Sequence, residues 1–412
     1  MQFDLVFKGG GAKGMAFVGA MQEFERRGCA PRRLVGTSAG AITAALLAAG
    51  YDAKSMYDAL SETGEDGKTV FSTFLAPPTL DEFIDATLEK AILFQLIGKF
   101  GQWLGTLKIP ALTAAGLTIR TVSRRAGAKL LQRTLRNVDE NNREYVLSAI
   151  SMVEQGGIFS ARNFEQWLEE KLADKDPRFG QATLQHFFQL TGRDISLVAT
   201  DLISRKMLVL NHRTAPLLPV IRAVRMSMNI PYIWTPVVWH ESWGHYRNED
   251  ITGHRIIDGG VLSNFPVRLT TSSSDIVRSV MGDTDPGSAP TIGMMLDSTL
   301  RVPEAGKYSG ARGVLKKLND IREDAIGDIR VTNLFTFTAH LTNTLMEGND
   351  NFAIAALQDV VCHLPVGGYE TLEFDMSPQR RDALIAAAAV AMSEHLDQRL
   401  NNQGAGEFES LI

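Results

Sequence analysis

The chain has 412 residues, 44% apolar and 22% charged, enough material for a folded body with a sizeable core and the wrong composition for a disordered polymer. A formal net charge of −5 argues against general nucleic-acid binding, and the two cysteines, Cys29 and Cys362, cannot build a disulfide framework or a four-ligand zinc site. The N-terminus lacks a secretory signal pattern and no run of about 20 apolar residues follows, so a cytoplasmic protein is expected, with export by a signal-less route left open.

In chain order, residues 5–7 read as a first strand and 15–27 as a helix with Phe17, Met21 and Phe24 at helical spacing. Leu34 and Val35 form a short second strand, and 41–49 a helix ended by Gly50. This βαβα order predicts an α/β fold: three layers, α/β/α, around a mainly parallel sheet. Pro77 and Pro78 break the pattern, and Thr79 with Glu82 reads as a capping box. Between 91 and 136 the composition shifts: eight cations, no acid, with Arg125, Lys129, Arg133 and Arg136 on one helical face. A helix near 163–172, a strand over 194–200 leading to Asp201, and a partner strand over 206–210 restore the α/β pattern. A helix over 219–227, a short strand over 255–257 and a further strand over 291–296 follow. Helices are expected around 314–321 and 331–346, then a last one from Ser377 to Leu400 with a loose tail from about 401.

Three segments carry chemistry. Gly36-Thr37-Ser38-Ala39-Gly40 follows an apolar strand and precedes a helix, the setting of a nucleophile elbow that lifts a serine hydroxyl above a sheet. Gly9-Gly10-Gly11-Ala12-Lys13-Gly14 also fits a dinucleotide fingerprint, but that needs an acidic ribose ligand at the end of the second strand, where the serine elbow stands instead. A P-loop fails too, because Lys13 precedes Gly14 rather than Ser or Thr. An oxyanion hole made from the amides of Gly9, Gly10 and Gly11 is the better reading, with Lys13 adding charge nearby. Asp258-Gly259-Gly260 ends a strand and offers a base; alone, it would more often be a turn.

Taken together these blocks, in this order, resemble the patatin-like phospholipases, with weaker similarity at 198–202 and 226–231. The resemblance covers roughly 1–75 and 190–270, and implies a lipid acyl hydrolase in which Ser38 is the nucleophile and Asp258 the base, with no metal and no cofactor. A Ser-His-Asp arrangement would need His340, His363 or His395, none in a marked loop setting; His340 and His395 read as helix surface. His240 and His245 are five apart with Gly244 between them, which is wrong for a zinc-binding helix.

The expected organisation is a catalytic domain over 1–275, interrupted by a mainly helical basic insertion at 76–190, and a C-terminal extension over 276–412 that completes or packs on the sheet. The insertion is either a solvated helix or a lid whose cations meet a lipid surface, giving peripheral membrane association. The expected partner is a lipid at a membrane surface, with a protein activator or inhibitor left open. Competing classes are a dinucleotide-dependent oxidoreductase and a catalytically silent lipid-binding module.

Overall fold

The computed structural model describes residues 1–64, 69–79, 143, 147–148, 151–152, 155–282, 289–303, 305, 344 and 357–409. The expectations for the basic segment 91–136, including Arg125, Lys129, Arg133 and Arg136, for Glu82 and for the helices around 314–321 and 331–346 lie outside these residues, apart from position 344.

The strands are β1 (Gln2–Phe7), β2 (Ala30–Thr37), β3 (Gly157–Phe159), β4 (Asp194–Asp201), β5 (Lys206–Leu210), β6 (Tyr232–Trp234), β7 (Val237–Val238), β8 (Arg255–Asp258), β9 (Thr291–Arg301) and β10 (Val361–Gly367). The helices are α1 (Ala16–Arg26), α2 (Ala39–Ala48), α3 (Ala53–Leu60), α4 (Val70–Thr73), α5 (Arg162–Lys175), α6 (Leu184–Thr191), α7 (Val220–Ser227), α8 (Arg268–Thr271), α9 (Asp275–Met281) and α10 (Pro378–Glu409). Among the described residues eight strands form the central sheet, hydrogen-bonded along the path β10-β9-β1-β2-β4-β8-β7 with β5 also on β4; β3 and β6 pair separately. The β10-β9-β1-β2-β4 part is wholly parallel; β5 and β8 pair antiparallel with β4, and β7 pairs antiparallel with β8. The fold is therefore mixed α/β around a mainly parallel sheet.

Period-two alternation explains why both faces are covered. Leu5, Phe7, Leu34 and Leu197 pack into a core shared with α1, α2 and α10, whereas Val6, Val35 and Val198 turn to the other face, against Phe265, Val267 and Met281. Strand β2 starts four residues before Leu34, through a polar stretch that ion pairs make tolerable. Arg32 meets the buried Asp4 at 2.7 Å and Arg33 meets Asp194 at 3.6 Å. Helix α10 reaches Glu409 instead of giving way to a tail near 401, since no proline interrupts the stretch.

The segment after β10 returns to the front of the chain. Thr371 accepts a hydrogen bond from the Ala12 amide at 2.9 Å. Arg380 holds this segment in shape: it pairs with the fully buried Glu373 at 2.5 Å, donates to the carbonyls of Gly368 (2.8 Å) and Ala305, and lies 4.2 Å over the Tyr369 ring. Removing one member of a buried pair strands the other charge. Arg380→Ala is therefore expected to lower stability by about 3 kcal/mol or more in denaturant unfolding.

Candidate active site

Gly36 and Gly40 make the elbow around Ser38 sterically possible. A methyl on Gly36 would sit 2.2 Å from the Gly40 carbonyl oxygen, and one on Gly40 would sit 2.3 Å from that of Phe7. Backbone is the obstacle in both cases, so neither site admits a side chain. Ser38 itself takes φ 53° and ψ −120°, a left-handed conformation rare for a residue with a Cβ. Its amide donates to Ser227 Oγ at 3.1 Å, and that hydroxyl donates to the Val198 carbonyl at 2.6 Å. The strained turn is thus tied to α7 and β4.

The sheet brings Asp258 to this turn. Thr37 of β2 pairs with Val198, and Asp258 of β8 pairs with the next residue, Ala199. Strand β5 pairs with all of 197–201, so β2 and β8 must share the opposite edge of β4. They occupy one lane and point at each other, β2 ending at Thr37 and β8 at Asp258. Gly259 continues so close to β4 that a methyl there would lie 2.2 Å from the Val198 oxygen.

Asp258 is wholly buried, with Oδ1 accepting from the Gly260 amide at 2.7 Å and Oδ2 completing no hydrogen bond. Burial pushes its pKa up to about 7, and the Gly260 amide and then the Ser38 hydroxyl pull it down. Ser38 and Asp258 are therefore neighbours, with no hydrogen bond completed between them. The β8 backbone is held from behind. Asp258 donates its amide to Asn229 O at 3.0 Å, Asn229 Nδ2 reaches Ile256 O at 3.4 Å, and the buried Arg225 donates to Asn229 Oδ1 and to Thr235 O.

The glycine loop lies against the same point. A methyl on Gly9 would meet Ser38 Cβ at 3.0 Å and Asn264 Oδ1 at 2.1 Å. Gly9 is a correction to the expected donor set, because its amide is already given to the Asn264 carbonyl at 2.9 Å. The amides of Gly10 and Gly11 form no hydrogen bond among the described residues, which leaves them as the donors available to an anion. Gly11 needs its glycine: φ is +56° and a methyl would run into the Thr371 carbonyl at 2.2 Å. Gly14 approaches Ala39, where a methyl would be 2.8 Å from that Cβ. Lys13 turns away to Ser298 Oγ at 3.2 Å, and Lys8 donates to Leu296 O.

Beside the loop and elbow is a mainly apolar cleft enclosing about 540 Å³ out to its mouth. Gly11, Gly14 and Ala39 line it together with Met15, Ile42, Leu60, Phe71, Phe374 and Met376. Ser38 is not in the wall, but its neighbour Ala39 is.

Among the described residues, the histidines considered for a triad or a zinc site have other settings. His363 bonds Asp297 at 2.8 Å on β10 and β9, three lanes from β2, which is about 14 Å. His395 is half-buried rather than on the helix surface, and burial lowers its pKa to about 4. His340 is outside the described residues. His240 bonds Ser242 in a short turn and His245 is exposed. Sequence reasoning assigned no role to Ser227, Asn229, Asn264 or Arg225. The first two sit in the weakly similar stretch 226–231, and Asn264 follows Asp258 by six residues.

The uncharacterized protein YqhO of Bacillus subtilis (strain 168) is 25% identical over 392 residues, covering 93% of this chain and 94% of its own. The probable lipid hydrolase 463L of Invertebrate iridescent virus 6 is 26% identical over 115 residues, 28% of this chain and 35% of the viral protein. Among solved structures, VipD from Legionella pneumophila aligns over 96% of this chain and 67% of its own with 16% identity and a TM-score of 0.41. A family model described as patatin-like phospholipase matches residues 5–271, about two thirds of the sequence, and the chain belongs to that family.

Proposed function

We propose that the protein, a lipid hydrolase by family, is a serine esterase that cleaves fatty-acyl esters of phospholipids through Ser38 and Asp258. The observation that carries this reading is the head-to-head meeting of β2 and β8, which sets a strained serine beside a buried, unsaturated carboxylate. Ser38 Oγ attacks the acyl carbon as Asp258 Oδ2 takes its proton. The amides of Gly10 and Gly11 receive the charge that develops on the carbonyl oxygen. Collapse expels the lyso-lipid alcohol, which takes the proton from Asp258 and leaves an acyl group on Ser38. Asp258 next deprotonates a water molecule, whose attack frees the fatty acid and returns the proton to Ser38. No imidazole is needed, because the buried carboxyl titrates near neutrality, where a general base works best. The fatty-acyl chain takes the apolar cleft beyond Ala39.

Fatty-acid release from phospholipid should fall by at least about 10³-fold in Ser38→Ala and in Asp258→Asn, and a fluorophosphonate probe should label wild type but not Ser38→Ala. Full release by either variant would end this reading.

Activity on a soluble ester should rise with pH through an inflection near 7 as Asp258 ionises. Stability carries the opposite sign. The folded chain holds the Asp258 proton up to about 7 whereas the unfolded chain loses it near 3.8, so stability falls as pH rises through that window. Asp258→Asn should therefore gain stability over wild type between about pH 5 and about pH 8, by up to a few kcal/mol in denaturant unfolding.

Ile42→Trp narrows the cleft. Its kcat/KM should drop about tenfold or more for long acyl chains and change little for acetyl or butyryl esters, measured on a chain-length series.

A further inference from the structure

The turn between β4 and β5 shows its apolar side chains to solvent. Leu202 is 43% exposed and Ile203 58%. Across the sheet Leu202 donates its amide to Arg255 O at 3.0 Å, and Arg255 pairs with Val238, itself 52% exposed. Leu202, Arg255 and Val238 therefore form one row, with Ile203 projecting just past it.

The turn is built, not collapsed. The wholly buried carboxylate of Asp201 accepts from the Ile203 amide (2.9 Å), the Ser204 hydroxyl (2.6 Å) and His254 Nδ1 (2.7 Å). Arg205 takes a left-handed φ of 58°. These polar ties fix the backbone so that the two large aliphatic side chains stand outward. Two of the cations beside them, Arg205 and Arg255, are exposed and make no ion pair among the described residues, while Lys206 is paired with Glu249 at 3.4 Å.

We propose that this row docks on the surface of an anionic phospholipid bilayer, Leu202, Ile203 and Val238 entering the headgroup boundary and Arg205 and Arg255 meeting lipid phosphates. It rests on the lipid-hydrolase reading above and adds where the molecule meets its substrate. Exposed aliphatic side chains beside two exposed guanidinium groups match an interface that is apolar below and anionic above. The position agrees: the turn begins at Leu202, three residues beyond Ala199, the register partner of Asp258, or about 10 Å at strand rise. The anchor turn thus follows directly from the strand whose Ala199 pairs with Asp258.

The test is cosedimentation of the full chain with phosphatidylserine-containing vesicles and with pure phosphatidylcholine vesicles, comparing wild type, Leu202→Ser/Ile203→Ser, Arg205→Gln/Arg255→Gln and the remote control Val390→Ser. Unchanged thermal midpoints establish folding. Each paired variant is expected to bind anionic vesicles about tenfold more weakly, with Val390→Ser unchanged. Hydrolysis of a monomeric short-chain ester should stay at the wild-type level in all of them. Undiminished vesicle binding by both paired variants, or equal wild-type binding to neutral and anionic vesicles, overturns the proposal, as does loss of binding to a protein with vesicle binding intact. If wild type hydrolyses no ester, the catalytic reading fails on its own, and the sedimentation result still decides the docking row.

Discussion

One constraint governs the candidate site: β2 and β8 share a single edge of β4 and run into each other. A parallel strand and an antiparallel strand in one lane leave a break in the sheet where neither continues, between Thr37 and Asp258. At such a break two residues far apart in sequence leave the ladder together, and both can turn side chains toward the same gap. The register of β4 alone brings them opposite Val198 and Ala199. Everything nearby supports the junction. Ser227 bridges the Ser38 amide and the Val198 carbonyl, Asn229 and Arg225 brace β8, and the Asn264 carbonyl seats Gly9.

Burial would supply the chemistry that the proposed reading asks of this geometry. A carboxylate at the surface would titrate near 3.8 and be a feeble base; enclosed in the sheet, Asp258 is driven up to about 7. The glycine loop complements it from the other side. Its backbone is bonded wherever support is needed, at Gly9 and Ala12, and leaves Gly10 and Gly11 with amides unspent. Rigid support with two open donors is the arrangement expected of a preorganised anion cradle.

Much of this was legible in the chain. The parallel α/β fold followed from βαβα order, and the elbow from small residues between a strand and a helix. Asp258 was legible only in company with the other two motifs, because an Asp-Gly-Gly turn alone has no preference for chemistry. The supporting residues were not legible. Ser227 and Asn229 act through contacts to strands 29 and 27 residues away in sequence, Arg225 acts through Asn229 and the Thr235 carbonyl, and no local pattern marks a hydroxyl that bridges two backbones. Gly9 was misread for a similar reason: its amide is consumed by a carbonyl 255 residues later. The reach of β2 into Arg32 and Arg33 was hidden because ion pairs across the sheet, not hydropathy, sustain it.

The contact between Thr371 and Ala12 has a practical corollary. The family match ends at residue 271, yet the loop that would cradle the anion leans on a carbonyl a hundred residues further on, and β1 is flanked by β9. A fragment trimmed to the matched portion would strip β1 of one neighbour and leave the glycines without their brace. The unit that must be expressed to obtain a competent cradle therefore runs into α10, well past the border that similarity alone would draw.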